Sequence, residues 1–368
     1  MAPFLRIIRC CFFVVVVVVA MMIISTQKIR PAAALALSPS SSSRNLSSNK
    51  GHGHNTFNEN DIEWMDDWML RFGGVARLYA NKGNAQSANM TPEDISYRLH
   101  ASTVAVVGLG GVGSWAAESL CRSGVGNIIL IDLDDICISN TNRQLHALTS
   151  TVGRMKIDEM KRRLTDINPR VNITLIHDFV AVETADTLIT SLKPELTACI
   201  DAIDGMDEKT ALILACTDHS VPIVTCGGAA GRVDPTQIII DDLTKVQEDR
   251  LLFRCRKSLR QNFGFPKVQM PGQTKKKKRV RNWKIPAVFS TEVQQKVDNA
   301  EAQMSTSSSF RTCDGSLGTA VFVTGTFGFV AATKVIEMIA MDNLIVPKKF
   351  RRSGNGSNLS LEEGDSIL

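Results

Sequence analysis

Short apolar runs alternate with amphipathic segments from residue 103 to residue 240, and this alternation is the strongest pattern in the chain. The runs rich in Val and Ile predict strands at 103–107, 127–131, 171–176, 197–203, 221–225 and 237–240. Apolar positions with helical spacing predict helices between them, at 114–123, 154–166, 183–192 and 206–218. This alternation predicts an α/β fold with a doubly wound, mainly parallel, Rossmann-like sheet.

Two further segments flank this pattern. Residues 61–99 have helical spacing, with acidic residues at the start and arginines after them. Residues 317–333 are uncharged and rich in Thr and Gly, so they fit either a membrane span or a helix buried against the sheet. The buried helix is favoured, because the stretch is short for a bilayer and continues as an amphipathic helix through Lys334 and Glu337.

The N-terminus has the pattern of a targeting segment. Arg6 and Arg9 precede an uncharged run from Cys10 to Gln27, which predicts a signal sequence or membrane anchor at about residues 7–27. Residues 38–60 are rich in Ser, Asn, Gly and His, as in a transit segment or flexible linker. We therefore expect an organellar protein, in a mitochondrion or plastid, or a membrane-associated one. The pattern leaves open which organelle is involved and whether the leader is cleaved.

The predicted organisation has five parts. They are a leader and linker (1–60), a helical segment (61–100), a nucleotide-binding half (101–235), a C-terminal half (236–345) with a basic insertion at 245–284, and a polar tail (346–368). Nine cysteines are scattered along the 368 residues without a Cys-x-x-Cys pair. This spacing argues against a thiolate zinc site and a disulfide framework, and the free cysteines disfavour a secreted protein.

A glycine-rich loop follows the first predicted strand. Gly108, Gly110, Gly111 and Gly113 lie between this strand and a predicted helix, where backbone N–H groups at the helix start bind phosphate. Asp132 ends the next strand, where a carboxylate binds ribose hydroxyls. These features predict nucleotide binding and, taken alone, favour a dinucleotide-dependent dehydrogenase.

The polar residues after Asp132 change this prediction. They include acids, amides and two cations, namely Asp134, Asn140, Arg143, Gln144 and Lys156. An arginine and a lysine downstream of the ribose acid suit a triphosphate, whose charge they neutralise during attack on phosphorus. Asp204 lies just beyond another strand, where a carboxylate suits Mg²⁺ bound to phosphates. The predicted cofactors are therefore ATP and Mg²⁺.

These motifs together resemble the adenylating fold of the ThiF and MoeB proteins, which ubiquitin-activating enzymes share. Further segments resemble the tRNA threonylcarbamoyladenosine dehydratase branch, over roughly residues 62–342. They are Arg71 to Tyr79, Gly113 to Glu118, Asn140 to Ala147, Asp234 to Gln237 and Thr324 to Val330.

The resemblance implies an ATP-dependent cyclisation of a threonylcarbamoyl group on a tRNA adenosine, through adenylation of its carboxylate. It assigns the nucleotide to Gly108, Gly110, Gly113 and Asp132, the phosphates to Asn140, Arg143 and Lys156, and Mg²⁺ to Asp204. It also implies a homodimer in which an N-terminal arginine, Arg71 or Arg77, reaches the partner's γ-phosphate.

The positive charge of the chain is concentrated in one segment. Residues 245–284 hold 14 of the 42 Lys and Arg residues but only two of the 37 acidic residues. A solvated loop, a nuclear-localisation signal and a tRNA-binding surface all fit such a segment. Given the implied substrate, we expect phosphate contacts from Arg254, Arg256, Lys257, Lys275, Lys276, Lys277, Lys278 and Arg279. Phe263, Phe265 and Trp283 have two interpretations, stacking on RNA bases or hydrophobic packing.

Cysteines and histidines add two minor candidates. Cys255 and Cys313 have arginine neighbours, which lower the pKa of a thiol, although cyclisation needs no thiol nucleophile. His146 follows the phosphate cluster and is interpreted as structural. Two alternative functions remain open. One is an activating enzyme for a ubiquitin-like or sulfur-carrier protein, and the other is a membrane-anchored nucleotide-binding scaffold without catalysis.

Overall fold

The structure is a computed structural model that describes residues 59–82, 90–267, 282–293 and 317–350, with side chains from Met65 onward. All of these residues belong to the unit Phe57–Leu368. The predicted signal segment at 7–27, the cluster from Lys275 to Arg279, Cys313 and the polar tail after Phe350 lie outside the described residues.

Seven strands of the described chain form one sheet. They are β1 (Thr103–Val107), β2 (Asn127–Ile131), β3 (Asn172–Ile176), β4 (Ala198–Asp201), β5 (Ile223–Cys226), β6 (Ile238–Asp242) and β7 (Pro286–Ser290). Their order is β3-β2-β1-β4-β5-β7-β6, with all neighbours parallel except the antiparallel pair β6 and β7. The expectation of a mainly parallel sheet is therefore confirmed.

Helices cover both faces of the sheet. In the described residues they are α1 (Glu59–Ala80), α2 (Pro92–Ala101), α3 (Gly113–Arg122), α4 (Lys156–Ile167), α5 (Ala185–Leu192), α6 (Met206–His219), α7 (Arg250–Asn262) and α8 (Val321–Ala340). Helices α1 to α4 and α8 contribute to one apolar layer, and α5, α6 and α7 contribute to the other. The doubly wound arrangement follows, because each helix buries one apolar stripe against a sheet face.

The uncharged stretch near the C-terminus forms the buried helix that its sequence favours. Helix α8 packs against α3 and several strands, and most of its side chains are buried. Of the described helices it alone is long and apolar enough to cross a bilayer by length and composition. Its burial against the sheet explains the same composition without a membrane.

The observed elements differ from the predicted ones in three places. The predicted helical segment 61–99 contains two separate helices, since Thr91 caps α2 reciprocally with Asp94, and Pro92 occupies the first helical position. Strand β7 was not predicted, because its five residues follow directly on the segment interpreted as a basic insertion. Part of that segment is regular structure, since residues 250–262 form α7 and pack against α6.

Candidate functional site

A cleft of about 800 Å³ opens at the carboxyl ends of β1, β2 and β4. The strand order reverses direction between β1 and β4, and such a switch point leaves a crevice in doubly wound sheets. The cleft brings together most of the residues predicted to bind nucleotide: Gly108, Gly110, Gly111, Asp132, Asp134, Asn140, Arg143, Gln144, Lys156 and Asp204. Gly113 lies beneath the loop and does not line the cleft.

The glycine-rich loop is shaped by close backbone approaches. Gly108 has a φ of +84°, and a Cβ there would lie 3.0 Å from the carbonyl oxygen of Ala202. A Cβ on Gly113 would lie 1.8 Å from the carbonyl oxygen of Gly108, so only glycine fits. By contrast, a Cβ on Gly110 would meet no protein atom within 4 Å. Gly110 therefore leaves open space in the cleft wall, at the start of α3, as a phosphate-binding loop requires.

The Asp132 carboxylate follows β2 and is hydrogen-bonded to the loop that follows β1. Its Oδ2 accepts a hydrogen bond of 2.5 Å from the Leu109 backbone N–H, and its Oδ1 accepts one of 2.8 Å from the Asp134 backbone N–H. Burial raises the pKa of Asp132, while the nearby Lys156 charge and these two donors oppose the increase. The carboxylate is thus fixed in orientation at the cleft wall.

The two predicted phosphate cations lie on one side of the cleft. Lys156 begins α4, and its Nζ lies 2.5 Å from Oδ2 of Asp134, whose side chain is half exposed. Arg143 donates from one guanidinium nitrogen to the Ser139 carbonyl oxygen and to the Asn142 side chain.

The Arg143 backbone is held by residues that the sequence did not single out for this purpose. Its carbonyl oxygen accepts hydrogen bonds from the Trp115 indole at 3.0 Å and from the Thr324 hydroxyl at 3.4 Å. These two anchors come from α3 and α8, which are far apart in sequence, so only the packing of the helices reveals them.

Asp204 lies in the turn between β4 and α6, with its side chain exposed to the cleft. Asp201, the last residue of β4, holds this turn in place, because its Oδ1 accepts a hydrogen bond from the Ile203 backbone N–H. The other Asp201 oxygen contacts Lys209 Nζ at 2.8 Å and accepts from the Thr225 hydroxyl at 2.6 Å. Asp201 and Lys209 are fully buried, and the sequence analysis missed the Lys209 contact.

Other features of the cleft fit a polar, phosphate-bearing ligand. Oε1 of Gln144 and Oγ1 of Thr319 are buried in its wall without a hydrogen-bond partner among the described residues. Asp204 and Glu208 also line it, yet the described residues contain no cluster of three or more side chains suited to a metal. This donor set fits Mg²⁺, which keeps several waters and is held by one or two carboxylates together with phosphates.

The sequence analysis also missed two segments of the cleft wall. Residues 178–181 follow β3 and include Phe179, whose side chain is about half exposed. Residues 227–230 follow β5, and Leu251 of α7 lies beside them in the wall. Both segments could have been predicted from their position directly after a strand. The carboxyl ends of parallel strands lie at one edge of the sheet, where the ligand binds.

The two N-terminal arginines do not line this cleft. Arg71 and Arg77 lie on α1 and are exposed, and Arg71 Nε donates to the Asp67 carboxylate. Their predicted role in a partner's cleft stays a prediction.

Of the described residues predicted to bind tRNA, some are exposed and one is buried. Arg254 and Lys257 are exposed on α7. Arg256 is wrong as a phosphate ligand, because its guanidinium is buried and donates to the carbonyl oxygens of Leu243, Thr244 and Val246. Phe265 and Trp283 are buried and pack edge-to-face, with 4.8 Å between their ring centroids. Hydrophobic packing was therefore the correct interpretation for both.

The lowered thiol pKa that the arginine neighbours of Cys255 suggested is not found. Burial raises the pKa of its thiol to about 11, so the neighbouring arginines do not lower it. Cys121, Cys199, Cys216 and Cys226 are buried too. His146 is buried with no hydrogen-bond partner for either ring nitrogen among the described residues. Burial, together with the Lys156 charge, lowers its pKa to about 4.

Comparison with known proteins agrees with this geometry. The profile of the ThiF family matches residues 84–361. The chain is 40% identical to the tRNA threonylcarbamoyladenosine dehydratase of Escherichia coli (strain K12), over 74% of this chain and 94% of that protein. It is 38% identical to the dehydratase of the same name from Haemophilus influenzae, over 75% of this chain and 95% of that protein. A crystal structure of the E. coli enzyme in complex with ATP matches with a TM-score of 0.59 and 36% identity, covering 74% of this chain and 95% of that one.

Proposed function

We propose, from the premise that this chain belongs to the ThiF family, that it catalyses the ATP-dependent dehydration of tRNA threonylcarbamoyladenosine. One observation carries the proposal. The cleft joins a phosphate-binding glycine loop, two cations and an exposed carboxylate, in a chain that covers nearly the whole length of dehydratase relatives. ATP binds in this cleft.

The chemistry follows from the substrate. The threonylcarbamoyl group ends in a carboxylate, which resists nucleophilic attack because oxide is a poor leaving group. Its oxygen attacks the α-phosphorus of ATP, the bond to the β-phosphate oxygen breaks, and pyrophosphate leaves. The ureido nitrogen of the same group then attacks the acyl carbon and loses its proton, and AMP leaves. A five-membered ring is formed with the net loss of one water, and the intramolecular geometry favours this closure.

The residues of the cleft have separate roles in the proposal. The loop from Gly108 to Gly111 supplies backbone N–H groups to the phosphates, and Asp132 binds the ribose. Lys156 leaves Asp134 for a phosphate, and Arg143 rotates toward the phosphates on its fixed backbone. Both cations offset the negative charge that develops during attack on phosphorus. Asn140 and Gln144 complete the polar wall.

Asp204 is the proposed ligand of Mg²⁺ and the residue that orients the attack. Its exposed carboxylate in the turn after β4 supports this role. When bound, Mg²⁺ offsets phosphate charge and makes pyrophosphate a better leaving group. Asp201 and Lys209 hold the turn that carries Asp204.

The proposed enzyme is a homodimer in which Arg71 or Arg77 completes the partner's site. The exposure of both side chains and their position outside their own cleft support this arrangement. Mixing an Arg77→Ala or Arg71→Ala variant with an Asp204→Ala variant tests it. Recovered activity in the mixture requires an arginine acting between subunits, and an additive baseline contradicts it.

Two further parts of the proposal concern partners and location. Arg254 and Lys257 on α7 contact tRNA phosphates together with the cluster from Lys275 to Arg279. The segment at about residues 7–27 directs the protein to a mitochondrion or plastid, or anchors it to a membrane. A fluorescent fusion that carries only residues 1–60 tests this targeting, and a diffuse cytosolic signal contradicts it.

ATP–pyrophosphate exchange by the full-length protein tests the proposed reaction. We expect exchange only with tRNA that carries the threonylcarbamoyl group, together with the loss of one water from the modified nucleoside. The Asp204→Ala variant abolishes both signals, whereas Asp207→Ala, at an exposed position outside the cleft, retains them. Full activity of Asp204→Ala contradicts its assignment.

The same assay separates the other functions. Exchange that depends only on a carrier protein would support an activating enzyme, although the buried, high-pKa thiol of Cys255 disfavours a thioester at that position. ATP binding without exchange would support a scaffold.

A further inference from the structure

Helix α7 presents a cationic face to solvent. Its 13 residues include Arg250, Arg254, Arg256, Lys257 and Arg260 but no acidic residue. At about 100° per residue, Arg250, Arg254 and Lys257 fall on one side, opposite the buried Leu252, Cys255 and Leu259. This side is exposed, so its charge is available to a partner.

A phenylalanine lies at the edge of this face. The Phe253 side chain is 53% exposed. Leaving this apolar surface in water costs hydrophobic free energy that burial would otherwise provide. The Arg256 guanidinium lies 5.7 Å from the centroid of the Phe253 ring. Because three carbonyl oxygens hold Arg256 in place, it supports the ring as a fixed cation–π neighbour. The ring is therefore an exposed aromatic surface on a rigid base.

The same helix is fixed to the cleft at its first turn. Leu251 lines the cleft wall. Asp249, the N-cap of α7, accepts a hydrogen bond from the Leu252 N–H with one oxygen and from the Gly228 N–H with the other. Since Gly228 also lines the cleft, the helix cannot shift without moving the wall. Across α7, the order from the cleft outward is Leu251, then the cations, then Phe253, over about 10 Å.

We propose that Phe253 is a stacking platform for an unpaired base of the substrate RNA, flanked by Arg250, Arg254 and Lys257 as phosphate contacts. This rests on the proposed function, because tRNA is the RNA class that it supplies. A strand whose reactive adenosine occupies the cleft crosses α7 next, where its phosphates meet the cations and a neighbouring base meets the ring. Aromatic rings bind bases of any sequence through their faces.

Charge complementarity favours RNA here. The exposed acids of the cleft are Asp134, Asp135, Asp178 and Asp204, and they disfavour RNA phosphates beside them. The exposed side of α7, in contrast, carries cations and no acidic side chain of the helix. An isolated cationic face fits an anionic membrane too, but a single exposed aromatic among fixed cations suits base stacking better.

Binding of an anticodon stem-loop RNA to the full-length protein tests the platform. The RNA carries 2-aminopurine beside the reactive adenosine, because stacking quenches the fluorescence of this base. We expect Phe253→Ala to weaken binding about tenfold, which corresponds to about 1.4 kcal/mol, and to relieve the quenching. Phe253→Trp restores both signals, whereas Phe253→Leu, which is apolar but has no ring, does not.

The salt dependence separates stacking from charge. Phe253→Ala leaves the slope of log Kd against log salt unchanged, because no phosphate contact is lost, whereas Arg254→Ala or Lys257→Ala reduces the slope by about one. Gln261→Ala, on the same exposed face, serves as the matched control and leaves both Kd and slope unchanged.

Three outcomes overturn the platform: unchanged RNA binding by Phe253→Ala, restoration by Phe253→Leu as complete as that by Phe253→Trp, or a loss confined to binding of anionic lipid vesicles. Failure of the proposed function has a different result. In that case the wild-type protein leaves the threonylcarbamoyl group intact, while the Phe253 effects on RNA binding and quenching persist.

Discussion

Two lysine–aspartate pairs lie near the carboxyl ends of β2 and β4, the two strands that flank β1, and they differ in how exposed the aspartate is. Lys209 and Asp201 are both fully buried at 2.8 Å beneath the turn that carries Asp204. Lys156 and Asp134 lie at 2.5 Å in the cleft, where the Asp134 side chain is half exposed. The first pair has no access to a ligand, so it fixes the structure. In the second pair the Lys156 side chain is also buried, but its partner Asp134 is half exposed. In the proposed reaction Asp134 therefore turns to water, and a phosphate takes its place beside the lysine.

The largest effect on stability is expected when the buried pair is broken. Lys209→Met leaves the Asp201 carboxylate buried without its cation, which costs about 3–5 kcal/mol of unfolding free energy. Chemical denaturation of the variant measures the loss.

The double variant Asp201→Asn/Lys209→Met is the control, because it removes both charges and keeps an acceptor for the Ile203 N–H. It should recover at least half of the loss. A single variant as stable as the wild type would show that the pair is not structural.

The next effect appears in activity rather than stability. Lys156→Met removes the proposed phosphate contact from the cleft, and we expect pyrophosphate exchange to fall about 10²- to 10³-fold. The unfolding free energy should change by about 1 kcal/mol or less, because Asp134 is half exposed and regains water when its partner is lost.

Asp134→Asn is the matched variant and breaks the same pair from the other side. It should lower exchange far less than Lys156→Met. Equal losses in the two variants would mean that the ion pair itself, rather than the lysine, supports the reaction.

The third effect appears only at acidic pH, and it links His146 to Lys156 of the cleft pair. The pKa of the buried His146 is lowered to about 4 from an ordinary value of 6.5, so the fold favours the neutral ring. Its contribution to stability is complete above about pH 6.5. It is lost as the pH falls toward 4, because the unfolded chain then binds a proton that the folded chain does not. The loss reaches about 3 kcal/mol.

Comparing His146→Leu with the wild type across this pH range measures the effect, since the leucine variant lacks this loss. In Lys156→Met the loss should be smaller, because the nearby charge no longer lowers the histidine pKa. Parallel stability curves for the wild type and His146→Leu would contradict the assignment.

The sequence predicted the cleft better than it predicted the basic helix. Gly108, Asp132 and Asp204 each follow a strand directly, and the parallel topology brings such positions to one edge of the sheet. The place of such a residue in the cleft can therefore be predicted from its position directly after a strand. In residues 245–284 the count of cations indicated a charged surface, but it did not indicate which side chains face solvent. Arg256, Phe265 and Trp283 proved to be buried, and Phe253 proved to be exposed.

By itself, the sequence determined the strand and helix alternation, the phosphate loop and the acids and cations of the cleft. These depend on short-range periodicity, on turn geometry and on the chemistry of single side chains. Only the tertiary structure decided which aspartate of the two ion pairs is enclosed and which is half exposed, how Trp115 and Thr324 hold Arg143, and where the aromatic rings of the basic region lie. Those properties depend on contacts between residues distant in sequence, since burial and the partners that it requires arise only when helices pack on the sheet.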